Sequence, residues 1–235
     1  MRRAFIDSHM QHSFLLEVCA FNVDSCIAAQ RAGAGRIELC AGASVGGTTP
    51  AAETIRQVKE KVSIPIYAMI RPRGGDFLYS AAEINLMKQD IACAFTLGCE
   101  GIATGVQLAD GSIDTDLLKR IVDWAYPMKV TCHRVFDRTP DPFKALEDII
   151  ASGCERILTS GQKDTAIEAT SLIAQLVESA AGRIIIMPGS GVRSSNIARL
   201  AAETNAFEFH SSARIQGDMA DEAEITNTVA ALRQL

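Results

Sequence analysis

Strand-like and helix-like segments alternate along this chain without a break, and that alternation leaves few folds open. Apolar, β-branched runs fall near residues 14–19, 36–40, 64–70, 101–104, 128–133, 156–159, 183–187 and 206–210. Stretches with helical amphipathic spacing follow them near 23–33, 50–62, 81–97, 114–125, 141–152, 164–179 and 192–203, with a last one over 220–233. Eight such pairs imply parallel strands joined by crossover helices. A length of 235 residues suits an α/β chain folded as one (β/α)8 TIM barrel, a domain of about 250 residues. A doubly wound open sheet is the runner-up, but it usually needs fewer strands at this length.

The barrel domain is expected over 14–235. Residues 1–13 read as a leader or as a segment added for expression, because they lack the apolar stretch of a secretory signal and contain Ser8-His9-Met10. Local signals place several boundaries. Asp141-Pro142 reads as an N-cap followed by a first-turn proline. Gly153 is a C-cap candidate, and Gly33 and Gly98 sit similarly before the next strand. Trp124 and Tyr126 read as packing groups at a helix end. The sequence Gly33-x-x-Arg36-Ile37 recurs as Gly153-x-x-Arg156-Ile157, which reads most simply as a shared helix-to-strand turn.

Net charge is −5, and the lysines and arginines are scattered. Nucleic acid is therefore not an expected partner, since phosphate binding needs a basic surface. No apolar stretch approaches the length of a membrane span. Seven cysteines is an odd number, and none sit as Cys-x-x-Cys. A reducing cytoplasm is the expected location.

In barrels of this kind, function sits at the carboxyl ends of the strands. Side chains alternate faces along a strand. Glu17 therefore shares a face with Cys19, Glu38 with Cys40, Thr131 with His133, and Glu208 with His210. The inward set is Glu17, Cys19, Glu38, Cys40, Thr131, His133, Glu208 and His210. Phe207 and Phe209 then pack on the outer helices. Buried carboxylates need cationic or hydrogen-bonding partners. Arg71 and Arg73, over the mouth, and the histidines are the candidates.

Two chemistries fit these residues. Thiolates select soft ions such as Cu(I), which makes Cys19 and Cys40 candidate metal ligands. Staggering between adjacent strands could set them at different heights, and buried cysteines also serve as small hydrophobes. Alternatively, the mouth is an enzyme site of lyase or isomerase type for a small phosphorylated or carboxylated metabolite. Glu17, Glu38, His133, Glu208 and His210 would then be the catalytic candidates. Arg71 and Arg73 would hold the anion, with help from the loops after strands seven and eight, at Gly189, Ser190, Gly191, Ser211 and Ser212. A plain scaffold is the weakest reading, because so many polar strand ends are hard to justify structurally.

Several of these residues fall in longer matching stretches. Glu17-Val18-Cys19, Arg36-Ile37-Glu38-Leu39-Cys40, Gly46-Gly47-Thr48-Thr49-Pro50 and Ile70-Arg71-Pro72-Arg73-Gly74-Gly75-Asp76-Phe77 occur in order. Cys132-His133-Arg134-Val135-Phe136-Asp137, Leu158-Thr159-Ser160-Gly161 and Phe209-His210-Ser211-Ser212-Ala213 follow. Over roughly residues 14–214 the chain closely resembles the CutC family of copper-homeostasis proteins. The resemblance implies a cytoplasmic (β/α) barrel forming homo-oligomers, dimers or tetramers, with a role in copper handling. It also implies a Cu(I) site at Cys19 and Cys40, the positions of two family cysteines. The chain departs from longer members by a shorter C-terminal region.

Overall fold

The computed structural model describes residues 14–215 and 217–235; the leader assigned to 1–13 lies outside them. Eight parallel strands run β1 (Leu15–Ala20), β2 (Arg36–Leu39), β3 (Ile66–Met69), β4 (Gly101–Thr104), β5 (Lys129–Cys132), β6 (Arg156–Thr159), β7 (Ile185–Pro188) and β8 (Glu208–Ser211). Each is followed by a helix: α1 (Val23–Arg31), α2 (Ala52–Lys61), α3 (Ala81–Thr96), α4 (Thr115–Ala125), α5 (Pro142–Ser152), α6 (Thr170–Ala180), α7 (Ile197–Thr204) and α8 (Glu222–Leu232). The hydrogen-bonded order is β7-β6-β5-β4-β3-β2-β1-β8. This is the expected (β/α)8 barrel, with β7 and β8 meeting side by side without a ladder.

Helix boundaries have local causes. Asn22, Ser80, Asp114, Asp141 and Asp221 each accept a backbone N–H in the first turn of the helix that follows. That satisfies one of the orphan donors at the helix start. Ser80 and Glu83 complete a reciprocal capping box. Gly153 closes α5 at φ 84°, a conformation that costs glycine nothing.

The strands divide their side chains between two cores. Leu16, Val18, Ile37, Leu39, Ile66, Ile102, Ile157 and Phe209 face outward under the helices and are buried. Phe209 thus packs where alternation places it. The inner face is polar at the level of β1, β2, β6 and β8, where Glu17, Arg36, Glu38, Arg156, Glu208 and His210 are all buried. Gly101, at the start of β4, leaves room inside the barrel for the Tyr67 ring, which lies 2.5 Å from where a Cβ would stand.

Two expectations about helix ends divide. Trp124 is half-buried, with the Arg120 guanidinium 5.0 Å and the Lys88 ammonium 5.4 Å from its ring. Tyr126 is not a packing group: it is 83% exposed. The chain leaves α4 there in an extended conformation (φ −53°, ψ 131°), which turns the ring to solvent.

Candidate functional site

Register builds the site. Parallel pairing sets Glu17 level with Arg36 on one side and with His210 on the other. The next inward-facing level sets Cys19 beside Glu38. Cys40 follows the end of β2, and its N–H donates to the Ala20 carbonyl. The expected stagger is present, since Cys19 pairs with Glu38 rather than with Cys40. The two sulfurs nevertheless lie 3.8 Å apart.

Below the thiols lies an ionic layer. Arg36 binds Glu17 through Nε and reaches Glu208 at 2.6 Å. Arg156 holds the same Glu208 at 3.0 Å and sits 3.4 Å from Thr131 Oγ1. The Tyr67 ring lies under both guanidiniums, at 5.0 and 5.2 Å. Arg36 and Arg156 are thus the cations that neutralise the barrel carboxylates, a role expected of Arg71 and Arg73. Both belong to the repeated Gly-x-x-Arg-Ile stretch. The recurrence therefore carries a shared interior task as well as a shared turn.

His210 links the ionic layer to the thiols. Its Nδ1–H donates to Glu17 Oε1 at 2.7 Å, and its Nε2 faces Glu38 Oε2 at 3.9 Å. Burial disfavours charge on the ring, but Glu38, Cys19 and Glu17 outweigh it and hold His210 protonated well above its usual range. Burial likewise pushes Glu17 up, yet Arg36 and His210 bring it down to about 2. Glu38 faces only the protonated His210 ring, at 3.9 Å, and burial and the neighbouring Cys19 sulfur outweigh it and raise Glu38 well above the carboxylate range. The thiols share a proton. Hydrogen bonding with Cys40 draws Cys19 down to about 5, helped by His210, while Cys40 keeps its proton far above the ordinary thiol range. Cys26, Cys99 and Cys154, by contrast, are pushed up to about 12 by burial.

A cavity of about 120 Å3 opens above this layer, lined by Cys19, Glu38, Met69, His133 and His210, with Arg71, Phe77, Arg134, Leu158 and Gly46. His133 follows β5, and its ring occupies space that glycine at position 105 leaves free. Its Nδ1 accepts the Val135 N–H at 3.2 Å, which places the ring proton on Nε2. Phe77 packs against the ring at 4.8 Å. Burial, with Arg71 nearby, lowers its pKa to about 3, so the ring is neutral. A larger hollow of about 450 Å3 lies at the opposite end of the barrel, where Arg233 is the only charged side chain among the described residues that line it. The chemistry-bearing groups are therefore at the mouth.

His133 gives a pH prediction. Its folded-state pKa lies below the unfolded value, so its contribution is full above the unfolded pKa near 6.5 and is lost as pH falls toward 3. Denaturant titrations at pH 7 and pH 5 should show His133→Gln losing less stability across that interval than the unsubstituted protein. The expected difference is about 2 kcal/mol. Equal losses in the two proteins would contradict a buried neutral ring.

The other expected site residues divide. Cys19, Glu38, His133, His210 and Arg71 converge on the mouth cavity, whereas Glu17 and Glu208 lie in the ionic layer. Arg71 gives its terminal N–H groups to the carbonyls of Val45, Gly47 and Gly75, fastening the loop after β2 to the loop after β3. Arg73 lies outside the cavity lining, paired with Asp76 and Glu83. Gly189, Ser190, Gly191, Ser211 and Ser212 also lie outside it. The Ser190 and Ser211 hydroxyls donate to the carbonyls of Asp164 and Val192, and α7 starts only at Ile197. No helix start thus directly follows the Gly189–Gly191 loop.

Among the described residues, two clusters could hold a metal ion. Cys19, Glu38 and Cys40 offer one, and Glu17, Glu38 and His210 the other; within each, the donor atoms lie within 4.8 Å of one another. The first is softer, since it holds two sulfurs, with Met69 packed against them. The second already has its His210–Glu17 hydrogen bond made internally. Among the described residues, no helix is long and apolar enough to cross a membrane.

Comparison with known proteins gives a consistent answer. The family model described as the CutC family matches residues 14–215. A family protein CutC from Parabacteroides distasonis is 51% identical over 201 residues, covering 85% of this chain and 83% of that protein. The copper homeostasis protein cutC homolog of Mus musculus is 47% identical over 207 residues, covering 88% of this chain and 76% of that protein. The crystal structure of CutC from Streptococcus agalactiae superposes with a TM-score of 0.81 at 34% identity, covering 86% of this chain and all of that one. A phosphoribosylanthranilate isomerase from Pyrococcus furiosus, at TM-score 0.60 and 12% identity over 94% of this chain and all of that one, shares the fold alone. By both sequence and structure, the chain belongs to the CutC family.

Proposed function

We propose that this protein serves copper homeostasis by binding one Cu(I) ion between Cys19 and Cys40, in the reducing environment of the cytoplasm. The observation that carries this reading is the 3.8 Å separation of the two sulfurs at the floor of the barrel mouth. Metal–thiolate bonds are about 2.3 Å long, so one ion can touch both. Met69 adds a soft, polarizable neighbour, and the Cys19 side of the pair lines the cavity through which an ion would enter. All seven cysteines are free thiols. The two at the mouth form the sulfur pair of the metal-ligand cluster, and the copper-handling names of the relatives agree with that chemistry.

Titration of the reduced protein with Cu(I) against a competing chelator tests the reading. One ion per chain is expected, with loss of that site in the Cys19→Ala, Cys40→Ala double variant. Equal affinity in the two proteins would end the proposal.

A further inference from the structure

Among the described residues, three buried polar atoms without a partner belong to side chains lining the barrel-mouth cavity. They are His133 Nε2, Arg71 Nε and Glu38 Oε1. His133 is 4% exposed and Glu38 3%. Leaving such an atom unpaired is costly, and copper held by the two sulfurs leaves His133 Nε2 without a partner. Because the Val135 N–H occupies Nδ1, the free His133 atom is a donor. The carboxyl oxygen of Glu38 can pair with a hydroxyl in either protonation state.

The wall around His133 is cationic, since Arg71 and Arg134 line it too. The wall around Glu38 holds Cys19 and the His210 ring. Met69, Phe77 and Leu158 supply the apolar remainder of the lining. A ligand matching these walls carries a negative acceptor at one end and a hydroxyl at the other. A phosphate would bring a second negative charge toward the Cys19 sulfur, and an apolar molecule would leave the orphan atoms unmet. The cavity of about 120 Å3 admits the few heavy atoms of a short ligand.

We propose that the barrel mouth binds a short hydroxycarboxylate, with its carboxylate on His133 Nε2–H at the Arg71 side and its hydroxyl on Glu38 Oε1. This site goes beyond the copper reading and needs no metal.

Isothermal titration of the reduced, copper-free protein tests it with glycolate as the probe, and with acetate and ethylene glycol as controls that each lack one end. Glycolate should bind at least about tenfold more tightly than either control, the equivalent of one lost hydrogen bond. His133→Phe should weaken glycolate by a similar factor. Since that variant could fail to fold, the His133 Nε2–H resonance of the unsubstituted protein gives a second reading. It should shift on adding glycolate and stay in place with ethylene glycol. Glycolate binding no better than acetate, or a resonance that glycolate does not move, would overturn the proposal. Because no copper is present, failure here leaves the thiol site untouched, and failure of copper binding leaves this result standing.

Discussion

Replacing Arg36 with methionine should cost about 3–5 kcal/mol of unfolding free energy, the range for breaking a buried ion pair by removing one partner. The size follows from what Arg36 neutralises. It is 3% exposed and holds both Glu17 and Glu208 inside the barrel. Methionine fills much of the same volume but leaves Glu17 with only His210, and Glu208 with only Arg156. Two buried carboxylates would each lose half their compensation, and burial penalises an unpaired charge severely. Adding Glu17→Gln and Glu208→Gln to the same chain should recover part of the loss, because the removed charges no longer need a partner. Denaturant titration of the single and triple variants measures both effects. A single variant within about 1 kcal/mol of the unsubstituted protein would mean that the layer is not a closed ionic network.

The second large effect is on copper. Cys40→Ser should lower Cu(I) affinity at least about a hundredfold. Loss of groups that merely orient a metal ligand costs 10–100-fold, and loss of a ligand itself should reach or exceed that range. The serine hydroxyl can still donate to Glu38 Oε2, which Cys40 Sγ approaches at 3.4 Å, so stability should change by only about 1 kcal/mol. Cys154→Ser supplies the contrast. Cys154 is buried at the turn before β6, away from the mouth, and should leave the copper titration unchanged. A Cys40→Ser protein that binds copper like the unsubstituted chain would remove Cys40 from the site.

Much of the architecture was legible in the residue pattern. Alternation of period-2 and period-3.6 segments is imposed by burial, so each strand and each helix announces itself. Glu17 shares a face with Cys19, and Glu208 with His210, because alternate residues of a strand point the same way. Arg36 and Arg156 were overlooked for a different reason. They begin β2 and β6, at the end of the barrel away from the mouth, where an arginine ordinarily reads as a solvated cap. Yet Arg36 shares the face of Glu38 two residues on, and its stretch recurs around Arg156; together those facts place a cation inside the barrel. The Arg73 expectation failed on loop direction. The segment after β3 folds back on itself, giving Arg73 the carbonyls of Gly74, Asp76 and Leu78 as well as two carboxylates. No periodicity records such a reversal. The 3.8 Å sulfur contact was equally out of reach, since it depends on Cys40 standing one residue beyond its strand.

The identity of the atoms around bound copper tests the central claim most directly. X-ray absorption at the copper edge, on reduced protein loaded with one equivalent of Cu(I), should show two sulfur neighbours, and the Cys19→Ala, Cys40→Ala protein should lose that signature. A first shell of nitrogen and oxygen alone, or a sulfur signal that survives the double substitution, would contradict it.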